Sequence, residues 1–130
     1  MTVIRWQRLE GGAIALAAAA AGPLAFGFAW WWPVALFLAF DLSALGYAAG
    51  PRVGAALYNA GHSYAGAVVC AAVFALTGAD AWAIVALAWA VHIGLDRALG
   101  YGLKHPDAFQ HTHLGWIGRA APGEGELRAR

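Results

Sequence analysis

Four ionisable side chains lie inside long apolar runs of this chain: Asp41, His62, His92 and Asp96. Imidazole and carboxylate are ligand types that suit zinc or non-haem iron. A divalent ion held among them would lower the pKa of a bound water to about 7 and ready it for hydrolysis. An aspartate at the centre of a membrane span costs roughly 2.5–3.5 kcal/mol on insertion scales, so two of them mark a site more readily than an accident. His92 and Asp96 are i and i+4 and share a helix face; Tyr58 and His62 have the same spacing, with Asn59 beside them. The same four residues have other readings. Asp41 could pair with Arg97 or bond to Tyr58 and Asn59 as interhelical glue. The layer could relay protons. His62 and His92 could ligate a haem or a chlorophyll-type pigment.

The elements that position them are apolar helices. The chain is 62% hydrophobic and only 12% charged, with a mean hydropathy of +0.59, against about 45–50% apolar and about 25% charged in soluble domains. Four segments are long enough to cross a bilayer: Gly12 to Phe28, Trp30 to Ala49, Val53 to Leu76 and Ala81 to Leu99. Gly50-Pro51 and Thr77-Gly78-Ala79-Asp80 are short turn-forming connections, which makes neighbouring spans antiparallel. The expected fold is an all-α four-helix transmembrane bundle over residues 1–118, followed by a flexible polar tail over 119–130. From Lys104 onward the chain should lie outside the membrane. Arg5 and Arg8 ahead of an Ala-rich run look like a signal peptide, but the run is read here as a retained span. Cys70 is expected to be a small buried hydrophobe, and no basic, aromatic-interleaved cluster points to nucleic acid.

Arg5, Arg8, Arg52, Arg97, Lys104, Arg119, Arg128 and Arg130 all fall on one side of this four-span arrangement, and only Asp80 falls on the other. The positive-inside rule then puts both termini in the cytoplasm. Trp30, Trp31, Trp32 and Trp82 belong to the outer aromatic belt, Trp6 and Trp116 to the inner one, and Trp89 should face a helix or lipid. Counted at 1.5 Å per residue from the basic ends, Asp41, His62, His92 and Asp96 lie at a common depth of roughly 12–18 Å. Gly54, Gly61, Gly66 and Gly94 permit close helix approach around that layer. His113, in the tail, joins the candidate metal ligands if the tail folds back onto the inner mouth of the bundle.

Several segments resemble a family of small bacterial integral-membrane proteins, domain of unknown function 4260. They are Arg8-Leu9-Glu10-Gly11, Asp41 to Tyr47, Gly50 to Gly54, Tyr58 to Tyr64, His92 to Lys104, Phe109 and Thr112-His113-Leu114-Gly115. The resemblance covers about Arg8 to Gly118 and is most specific from His92 to Lys104. It implies a four-span protein of the bacterial inner membrane and no known reaction. It also implies that Glu10 and Thr112-His113 belong with the intramembrane set. Phe40 stands where family members often have proline, a departure expected to straighten span two.

The expected function is therefore a metal-dependent intramembrane hydrolase acting through Asp41, His62, His92 and Asp96. The competing reading is a non-catalytic subunit of a larger respiratory or photosynthetic membrane complex, packed on partner helices, pigment or haem. A homo-oligomer in the lipid bilayer is compatible with either.

Overall fold

A computed structural model describes residues 1–118; the polar segment 119–130, expected to be flexible, lies outside the described residues. Helix α1 spans Val3–Ala25, capped by Thr2, whose side chain accepts the Arg5 N–H. Helix α2 spans Trp32–Asp41, with Pro33 in its first turn, where a missing N–H costs nothing. At Leu42 the chain tightens into a 3-10 segment that runs to Ala49. Helices α3 (Pro51–Gly61) and α4 (Tyr64–Thr77) together make the third rod, and α5 (Asp80–Leu99) the fourth. Gly78 and Gly100 end α4 and α5 in the left-handed region, the backbone state glycine enters at least cost.

Three rods are long and apolar enough to cross a membrane: Trp32–Ala49, Pro51–Thr77 and Asp80–Leu99. The expected first span is different in kind. Its helix begins nine residues earlier than Gly12, at Val3, and carries Arg5, Arg8 and Glu10, so only its later part is uninterruptedly apolar. It lies antiparallel against α5 at a glycine crossing. A Cβ on Gly94 would come within 2.6 Å of the Gly11 carbonyl oxygen and 2.8 Å of the Ala15 Cβ.

The second and third rods depart from regular helix at the depth of the site. Eight residues of 3-10 helix is a long run, since its eclipsed i, i+3 side chains and poorer hydrogen bonds usually limit it to one turn. Here that eclipsing aligns Ser43 and Gly46 against α3, on Gly61 and Leu57 respectively, while Tyr47 covers Gly54. The absence of proline at Phe40 therefore does not leave a straight α-helical span; Phe40 instead stacks on Trp89 at 5.1 Å between ring centroids.

The third rod breaks at His62-Ser63. Ser63 starts α4 by accepting the Ala65 N–H. A broken helix within a membrane needs partners for the backbone groups it frees. Helix α5 supplies them: the Trp89 indole donates to the Gly61 carbonyl at 2.6 Å, and Arg97 donates to the His62 carbonyl at 3.4 Å. Trp89 thus faces a helix rather than lipid.

The chain after α5 folds back over the basic end. Lys104 is clasped by Asn59 of α3, whose amide donates to the Lys104 carbonyl at 2.9 Å and accepts its N–H at 2.6 Å. A small hairpin, β1 (His111–Thr112) and β2 (Gly115–Trp116), completes this cap. Lys104 pairs with Thr112 as an isolated bridge, and Thr112 and Leu114 are buried. The residues after Lys104, expected only to lie outside the membrane, form in part a folded lid on the bundle.

Candidate metal centre

His62 sits at the α3–α4 break, Asp41 at the last turn of α2, and His92 and Asp96 one turn apart on α5. Three rods therefore meet at one point, as the matched depths in the sequence require. One nitrogen or oxygen from each of the four residues lies within 4.8 Å of all the others. The two Nε2 atoms are 3.0 Å apart. His62 Nε2 is 3.4 Å from Asp41 Oδ1 and 3.4 Å from Asp96 Oδ2, and His92 Nε2 is 3.6 and 3.8 Å from the same two oxygens. Tetrahedral zinc with bonds of about 2.0–2.1 Å needs ligand–ligand edges of roughly 3.3–3.4 Å. Five of the six edges bracket that value, and the sixth, between the carboxylates, opens the set on one side.

Hydrogen bonding orients the His62 imidazole for this role. Its Nδ1 lies 3.0 Å from the Tyr58 carbonyl oxygen, which can only accept, so the proton is on Nδ1 and the Nε2 lone pair points into the cluster. Ser43 donates to the Phe40 carbonyl at 2.9 Å and leaves a lone pair facing Nδ1 at 3.3 Å. Tyr58 stacks flat on the His62 ring at 3.7 Å and reaches past it to donate to Asp96 Oδ2 at 3.3 Å. His92 is fully buried against Phe37 and Phe40, with no hydrogen-bond partner for Nδ1 among the described residues. Asp96 is nearly enclosed, but the Asp41 side chain is 45% exposed and forms the mouth.

Two ionised carboxylates within 4.8 Å repel by about 3–4 kcal/mol at an effective dielectric constant of 20. A proton on a carboxyl or imidazole, or a bound cation, offsets that. A macrocycle does not fit the pair of histidines. Their nitrogens face each other 3.0 Å apart with the rings edge to face, and both imidazoles are buried, so no plane passes between them or against either nitrogen.

His113 does not join the four. Its Nδ1 accepts the Leu103 N–H at 2.8 Å, so in the neutral ring the proton is on Nε2, which lies 3.3 Å from Arg97. Burial and then the Arg97 charge hold its pKa below the usual imidazole value. Thr112, expected with it, is buried in the cap, where its hydroxyl donates to the Gly115 carbonyl at 2.7 Å. In the sequence Lys104 counts only among the basic residues at the inner end. It is 4% exposed, and burial pushes its amine down to about 8, against the opposing pull of Asp96.

The fold and the site together define a class: a helical bundle, three of its rods apolar enough for a bilayer, around a buried His/Asp cluster that could hold a metal. The chain belongs to the family described as Domain of unknown function (DUF4260), whose model matches residues 4–117. No curated protein and no solved structure matches it.

Proposed function

We propose that this protein is a metal-dependent hydrolase of the bacterial inner membrane, with all four rods in the bilayer and both termini cytoplasmic. His62, His92 and Asp96 would hold one zinc or ferrous ion, a ligand set of the kind found in catalytic sites. Asp41, at the exposed mouth, would complete the set and accept a proton; the ion, when bound, would supply an activated water. The substrate is an amphipathic molecule that reaches the site from the basic end or laterally past Asp41.

One observation carries this reading. Four potential ligand atoms from three separate rods converge at metal-coordination spacing, and a backbone carbonyl orients one of the imidazoles toward the centre. A purely structural network would not need two acids on the same two imidazoles. The clustering of every described Lys and Arg at one end supports the orientation, with Arg8 donating to the Ala98 carbonyl at the end of α5 and Arg52 lining a depression with Pro106 and Asp107.

The test is elemental analysis of protein purified in detergent without added chelator. About one zinc or iron per chain is expected, together with its loss in Asp96→Asn. A metal-free protein, reloaded with neither zinc nor anaerobic iron, would overturn the reading. A colourless protein with stoichiometric zinc would also remove the pigment-bearing accessory subunit as an alternative.

A further inference from the structure

Four buried polar atoms have no partner among the described residues, the Tyr64 hydroxyl and His92 Nδ1 among them, and the other two lie together. Lys104 Nζ and the Tyr47 hydroxyl make no hydrogen bond among the described residues. Both pack on Phe109: its ring lies edge-on to Tyr47 at 5.2 Å between centroids, and Lys104 Nζ stands 4.0 Å from its centre. Tyr58 forms the next wall, 4.8 Å from Nζ, and its hydroxyl is bonded to Asp96. This compartment is one tyrosine ring away from the ligand set. Asn59, the residue after Tyr58, holds the Lys104 backbone on both sides and so fixes where the ammonium goes.

A buried ammonium without hydrogen bonds is costly, and aromatic faces offset only part of that cost. An anion would offset the rest. Charge selects which one. Two carboxylates and a divalent ion sum to zero, and Lys104 adds one positive charge. A phosphate monoester carries nearly two negative charges at neutral pH, and a diester carries one. A carboxylate also carries one but has no bond to hydrolyse, and a neutral carboxylic ester leaves the ammonium unpaired.

We infer that Lys104 and Tyr47 form the anion-binding half of the site, and that its substrate class is a phosphate diester whose negative charge the Lys104 ammonium would offset from the far side of the Tyr58 ring. This rests on the metal-dependent reading above. Water adds across one P–O bond: its oxygen joins phosphorus, its proton passes to Asp41 and on to the departing alkoxide, and a monoester and an alcohol leave. A separate depression of about 540 Å³ lies at the basic end. Arg52 and Val53 line it, and Tyr47 lies on the adjacent Gly54. Lipid headgroup phosphates lie at this level of a bilayer, so the diester could be lipid-borne or free.

The full chain in detergent, loaded with zinc and assayed for zinc content, is titrated with dimethyl phosphate, with dioleoylphosphatidylglycerol in mixed micelles, and with oleate. Diester binding is expected, weakened tenfold or more in Lys104→Met and several-fold in Tyr47→Phe at unchanged zinc content. Tighter binding of the phospholipid assigns a headgroup substrate; tighter binding of dimethyl phosphate assigns a free one. Zinc-loaded protein that binds neither diester, that binds oleate equally well, or whose Tyr47→Phe and Lys104→Met variants bind like wild type overturns this inference alone. Protein that takes up no zinc overturns the metal reading and this one with it. If Lys104→Met does not fold, Tyr47→Phe, which keeps the ring, decides the matter.

Discussion

Replacing His92 by alanine removes one of the four proposed ligands and nothing exposed. The imidazole is 0% exposed and its Nε2 lies 3.0 Å from that of His62. Zinc bound by four protein ligands is worth about 10–16 kcal/mol, or roughly 2.5–4 kcal/mol per ligand, which corresponds to a 10²–10³-fold weaker metal affinity. The truncation also leaves a cavity beside Phe37 and Phe40, at a cost of about 2–5 kcal/mol in stability by analogy with other buried large-to-small changes. Free imidazole separates the two effects, because it can refill that cavity and restore the ligand. The assay is competition for zinc against a chelator of known affinity, with and without imidazole. The expected result is a loss of two to three orders of magnitude, partly rescued. Wild-type affinity in His92→Ala would refute the assignment of His92 as a ligand.

Other perturbations have equally definite outcomes. Trp89→Phe removes the donor to the Gly61 carbonyl and should destabilise the bundle by about 1–3 kcal/mol in thermal unfolding, the cost of an unpaired buried acceptor. Gly94→Ala puts a methyl against the backbone and Cβ of α1, neither of which can rotate away, and should cost about 1–3 kcal/mol, read as a lower Tm in detergent. The Lys104 amine titrates near 8 when folded against an ordinary value of 10.5. The unfolded chain therefore binds more protons between those values, and Tm should rise as pH increases from 8 to 10.5. Lys104→Met should abolish that rise and be the more stable protein at pH 7. Single cysteines at Arg52 and Gly78, in a Cys70→Ala background, should be labelled by impermeant reagents from opposite sides of the membrane; labelling from one side would refute the topology.

The rods and the meeting of the four ligands were legible because hydropathy and depth are both one-dimensional. Counting residues inward from Gly50, Arg52 and Lys104 at a helical rise places Asp41, His62, His92 and Asp96 in one layer. What could not be counted was local. Nothing in Leu42–Ala49 favours a 3-10 over an α-helical rise, because tertiary contact with the α3 glycines decides it. The His62-Ser63 break carries a faint signal in Ser63, a good N-cap residue, but an apolar context on both sides hides it. The cap over the basic end was read as a tail because Gly, His and charged residues resemble a solvated segment. The Asn59 clasp and the packing of Phe109 on Tyr47, both across long sequence separation, show that the segment is held. For the same reason Lys104 passed as an interfacial cation and His113 as a candidate ligand.

The interruption at His62 also bears on how the molecule is made. Two backbone carbonyls of the third rod are satisfied by Trp89 and Arg97, which are synthesised later. If the rods span the bilayer as proposed, the third should not settle in hydrocarbon until the fourth arrives beside it. The two should leave the translocon as a pair, and a nascent chain halted before Trp89 should remain at the insertion machinery or be degraded.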